Sequence, residues 1–148
     1  MGRMSQYRSD PKKLEEGVWD EFGDPADPIR FKIAYLNHGL AEAVQALPPD
    51  QRQRAKNKRL SSKEWLDVYM EATSSHVLLD WENMQAEDEE GNPAVDDEGE
   101  PIMVPYSPEK AREILEDDNQ GEFHEWLLER ARSRERFRQE MLEDASGN

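Results

Sequence analysis

The chain has 148 residues, no cysteine and a formal net charge of −15, with 36 % of its residues charged. That length predicts a single domain with a modest core, and the missing thiols exclude disulfides, thiolate metal sites and a cysteine nucleophile. Such acidity opposes binding to nucleic-acid backbones and favours basic protein partners, or imitation of nucleic acid itself.

A mean hydropathy of −1.06 predicts solvated tails and loops around a thin core. No apolar run approaches the roughly 18–20 residues that span a bilayer. The opening MGRMSQYRSDPKK lacks the apolar stretch of a signal peptide, so the expected location is the cytoplasm.

Residues 1–16 are polar and read as a flexible N-terminal tail. From Ile29 the chain alternates: Ile29, Phe31, Ile33 and Tyr35 share one face, and Arg30, Lys32 and Ala34 the other. Val18 to Phe22 can pair with it across the turn formers of Gly23–Pro28. Two strands alone are marginal, so helices must cover this hairpin.

Asn37 is the expected cap of a short helix carrying Leu40, Val44 and Leu47, ended by Pro48 and Pro49. Between Gln51 and Lys63 stand six basic residues and no acid. They read as a nucleic-acid patch or, more simply, as a polar helix or linker offset by acids downstream. Ser61 and Glu64 have capping-box spacing. The helix they start carries Trp65, Tyr69, Ala72, His76 and Leu79 at spacings of three and four, with Val77 and Trp81 widening the stripe. His76 on such a stripe is a packing residue before it is a ligand, and no histidine has metal-binding spacing.

Between Asp80 and Glu100 ten acidic residues occur with no Lys or Arg. This stretch holds an eight-residue echo, DEEGNPAV at 88–95 and DDEGEPIM at 96–103. Neither copy places acids at the first, third and fifth positions of a calcium loop, because Ala86 and Ala94 fall at the first. A turn-rich loop or mobile hairpin is expected at 85–105. Ser107-Pro108-Glu109 starts a further helix. A last helix from about Glu122 carries Phe123, Trp126, Leu127, Arg130, Arg134, Phe137 and Met141 along one side. Its arginines read either as a solvated face or as a guanidinium surface for an acidic partner. The fold expected is mainly α (α+β): a small N-terminal β-hairpin packed against about four helices, with the acidic loop between the central and C-terminal helices. The domain is expected to span 17–142, with 143–148 as a frayed tail. With no nucleophile, phosphate cradle or metal set, no catalytic residue, cofactor or metal is expected.

Three pieces carry a resemblance: EEGVWDEF with RFKIAYLN; VLLDWENM with the acidic loop and PYSPEKA; and FHEWLLERARSRERFRQEMLED. In this order, over Gly17 to Leu142, the chain resembles the tail assembly chaperones of long-tailed, siphovirus-type bacteriophages. The resemblance implies a non-enzymatic factor that binds the tape measure protein, keeps it soluble and helps recruit the major tail protein during tail tube assembly. It implies residence in the host cytoplasm and absence from the mature virion. It also implies a longer form made by frameshifting, with which the final Gly147-Asn148 is compatible. The expected partner contacts are Trp81, Tyr106, Trp126, Arg130, Arg134 and Phe137, with core packing the alternative for the aromatics. Homo-oligomerisation is left open. A second reading is an acidic nucleic-acid mimic that inhibits a host DNA-binding protein.

Overall fold

The computed structural model describes residues 2–139. Strands β1 (Val18–Phe22), β2 (Ile29–Ile33) and β3 (Leu78–Glu82) form an antiparallel sheet in the order β1-β2-β3. The hairpin has the register expected of its alternation, with Phe22 opposite Ile29 and Val18 opposite Ile33. Phe31 and Ile33 are buried on its inner face.

The described residues hold six α-helices: α1 (Pro11–Glu16), α2 (Leu36–Gln45), α3 (Pro49–Lys56), α4 (Ser62–Glu71), α5 (Pro108–Glu116) and α6 (Gly121–Arg132). The α+β architecture is therefore as the sequence predicts, with more helices than expected. Where a polar tail is expected, Met4–Tyr7 make a 3-10 turn and α1 follows, capped by Asp10, whose side chain accepts from Lys12 N. This segment meets the far end of the chain: Asp10 N donates to Phe137 O and Gln139 N to Arg8 O. Pro48 and Pro49 do end α2, but they also open α3, with Pro49 at its first position. Tyr35, not Asn37, stands at the cap of α2, and no side chain caps it.

The capping box is as expected: Ser61 Oγ accepts from Glu64 N at 3.1 Å, and Glu64 Oε1 accepts from Ser61 N at 2.9 Å. The helix beyond it is shorter than its stripe implies. Thr73 Oγ1 approaches the carbonyls of Tyr69 and Met70, and Ser74 Oγ that of Met70 at 2.7 Å. Hydroxyls that bond back to the preceding turn compete with the helical ladder. Here the helix widens into a π-helical turn, Ala72–Val77, and the chain leaves it as β3. Leu79 and Trp81 thus belong to a strand, a correction to the helical reading. Phe31 pairs with Trp81 across the β2–β3 ladder.

The main core lies between the sheet's inner face and helices α5 and α6, where Phe31, Ile33, Leu78 and Trp81 meet Leu115, Phe123 and Leu127. A smaller core joins α2, α3 and α4 through Ala43, Ala55, Leu60 and Val68. The final helix also ends early. Ser133 breaks it, Arg134–Phe137 form a 3-10 turn, and Met141 and the tail expected at 143–148 lie outside the described residues.

Candidate functional site

Two of the expected contact residues close the base of the acidic loop. Trp81 is 5 % exposed, and its Nε1 donates to Val104 O at 2.8 Å. Tyr106 lies edge-on to it at 4.9 Å between ring centroids. The Tyr106 hydroxyl donates toward Leu78 O at 2.6 Å and Ser74 O at 3.1 Å. Burial, with Asp80 and Glu109 nearby, pushes its phenol up to about 12, so it stays a donor at any ordinary pH. These two residues stitch the loop's exit to the π-turn and β3. The expectation of Trp81 as an exposed contact is corrected: it packs in the core.

Trp126 is half-buried and tilted against Phe22 and Phe31, with centroids at 4.9 and 5.8 Å. Phe137 is fully buried against Tyr35, so it too offers no exposed contact. Arg130 makes a bidentate pair with Asp20, at 3.0 and 3.2 Å. The 8 %-exposed Arg136 side chain pairs with the same carboxylate and donates to Arg130 O at 2.7 Å. Burial draws its guanidinium pKa down, and Asp20 opposes that shift. Arg130 therefore clamps β1 to α6 instead of presenting a free guanidinium. Arg134 alone of the six is exposed. The basic run at 51–63 is partly used as well: Arg54 grips Glu64 through two 2.8 Å bonds. Among the described residues no ion pair joins that run to the acidic loop.

The acidic loop is built, not featureless. In each copy of the repeat the first Asp caps its own turn. Asp88 Oδ1 accepts from Glu90 N and Asn92 N, and Asp96 Oδ1 from Glu98 N and Glu100 N, all at 2.9 Å. Gly91 and Gly99 sit at φ 83° and 81°, a conformation that costs a side-chain-bearing residue. The two lobes are tied at their base by a closed ring of backbone bonds at eight-residue spacing. Ala86 N donates to Ile102 O, Ile102 N to Ala94 O and Ala94 N to Ala86 O.

That base walls a groove of about 500 Å³ that sequence reasoning missed. Its floor is apolar: Phe22, Ile29 and Phe31 from the hairpin, Val104 from the loop's return, Ile114 from α5 and Phe123 from α6. Its rim is acidic. Glu87 and Asp88 stand on the loop side, and Glu113 and Asp117 on the side of α5, against the single cation Lys110. Lys110 is already held by Glu113 at 3.2 Å. The available signal was the apolar face shared by Phe22 and Ile29 at the hairpin's turn end, which the expected helices had to cover.

A family model described as YdaY prophage protein matches residues 37–148. The chain belongs to the YdaY prophage protein family. It is thus a phage-associated protein. The YdaY match includes both acidic walls of the groove, whereas Phe22, Ile29 and Phe31 on its floor come from the hairpin that precedes the matched span. No curated protein and no solved structure matches the chain. Among the described residues of this YdaY-family chain, no group of three or more His, Asp or Glu side chains is placed to hold a metal ion. No helix there is long and apolar enough to cross a membrane.

Proposed function

We propose that this phage-associated chain is a non-enzymatic tail assembly chaperone. It binds the tape measure protein, keeps it soluble in the host cytoplasm, helps recruit the major tail protein, and is absent from the mature virion. The observation that carries this reading is the open groove, apolar at its floor, on a chain of net charge −15. An apolar groove takes the ridge of a helix, and strong net charge keeps the carrier soluble while it does so. A groove of this size supports a small, reversible contact, as a factor that must be displaced requires. Membership of a prophage family and the resemblance over Gly17 to Leu142 agree with it.

Co-expression with the tape measure protein of the same phage tests the proposal. The expected outcome is that the tape measure protein is insoluble alone and recovered in a soluble complex with this chain. If it stays insoluble and the two never co-purify, the chaperone function is lost, and capture of a host DNA-binding protein in a salt- and DNA-sensitive manner becomes the test of the mimic reading.

A further inference from the structure

We infer that the groove receives an amphipathic helix whose apolar ridge is flanked on both sides by Lys or Arg. The floor presents half-buried Phe22, Ile29 and Ile114 to an incoming ridge. Acidic walls rise on two sides, from the loop base and from α5. Once Lys110 is matched by Glu113, the carboxylates of Glu87, Asp88 and Asp117 have no cation among the described residues. A volume of about 500 Å³ holds a few apolar side chains and lies in the usual range for binding clefts, about 300–1,000 Å³.

The two-sided rim decides the conformation of the occupant. A helix places an apolar ridge at i, i+3 and i+4 with basic residues on both flanks of the same face. An extended strand sends alternate side chains to opposite faces, so it cannot seat its apolar residues and also reach both rims. An acidic helix would meet like charge on each side and be rejected. The chemistry of the occupant follows from the groove; its identity as a segment of the tape measure protein rests on the chaperone reading.

The probe is a labelled 18-residue helical peptide with a Leu ridge and Lys flanks, read by fluorescence anisotropy at about 0.15 M salt, where distant charges are screened. Two analogues replace the flanking Lys by Glu or the ridge Leu by Ser. The Leu/Lys peptide is expected to bind at least about tenfold more tightly than either. Glu87→Lys/Glu113→Lys should weaken it by about tenfold or more, while Glu98→Lys/Glu100→Lys, with the same change in charge at the loop tip, should change it by less than about twofold. Circular dichroism of both variants confirms folding, and Glu87→Gln/Glu113→Gln replaces the reversal if that variant does not fold. Equal weakening by groove and tip variants, or equal binding of the Lys and Glu peptides, would overturn the inference in favour of diffuse attraction. The full-length tape measure protein separates the two proposals. A groove that takes the Lys peptide while the tape measure protein never binds removes the chaperone function and leaves the groove. A tape measure protein bound equally well by the groove-reversed variant removes the groove as its docking site.

Discussion

The base and the tip of the acidic loop come from the same stretch of sequence and are ordered by different means. At the base, Trp81 and Tyr106 are held by bonds to Val104, Ser74 and Leu78, residues far along the chain, and they share the main core. Beyond the base, Asp88 and Asp96 each order their own turn through bonds no more than four residues away. The contrast separates folding from binding. The base supports the fold, the tip is a locally closed, charged surface, and the groove lies where the two meet, with Met84 to Asp88 as one wall.

The largest expected effect tests the shared core. Phe31 is 2 % exposed and touches Phe22, Trp81, Phe123 and Trp126. Phe31→Ala should cost about 3–5 kcal/mol, measured by denaturant unfolding, because the site sits between sheet and helix and cannot collapse. Tyr106→Phe tests the base specifically. It strips two carbonyls of a donor and should cost about 1–3 kcal/mol. Its pH signature is distinct. A phenol raised from 10.0 to about 12 in the folded state stabilises the fold fully below pH 10, and that stability is lost as pH rises toward 12. Alkaline unfolding of the wild type should show this loss, and Tyr106→Phe should reduce it, leaving the part due to Tyr69, whose phenol burial also raises.

The tip should respond less. Gly91→Ala at φ 83° should cost about 1–2 kcal/mol, expressed as faster amide exchange in residues 88–94 and not as global unfolding. Glu89→Gln or Asp97→Asn, both exposed, should stay within about ±0.5 kcal/mol. A global loss from either would show that the tip is part of the core and erase the contrast.

A control lies in the capping box. Arg54 and the Ser61 backbone hold the Glu64 carboxyl down at about 2, from an ordinary 4.5. Its contribution is therefore present above pH 4.5 and lost as pH falls toward 2. The difference in unfolding midpoint between wild type and Glu64→Gln should shrink across that window and be constant above it.

Elements with local rules were legible in sequence. The hairpin followed from alternation at Ile29–Ile33, and the α4 and α5 starts from Ser61/Glu64 and Ser107-Pro108. What failed depended on distant partners. The stripe through His76, Leu79 and Trp81 fits a helix, and only pairing with β2 and the back-bonding of Thr73 and Ser74 turn it into π-turn and strand. Trp126, Arg130 and Phe137 share a helical side in sequence, but Phe22, Asp20 and Tyr35, more than ninety residues earlier, decide what they touch. The groove was invisible for the same reason, since its lining comes from the hairpin, both ends of the acidic loop, α5 and α6.

The most direct measurement is hydrogen–deuterium exchange of this chain alone and in complex with the tape measure protein. Protection is expected at Phe22–Phe31, Met84–Asp88 and Lys110–Gln120, the segments that wall the groove, with the loop tip at 89–100 unchanged. Protection confined to the tip, or to α3 and α4, would contradict the division between a folding base, a charged tip and a binding groove between them.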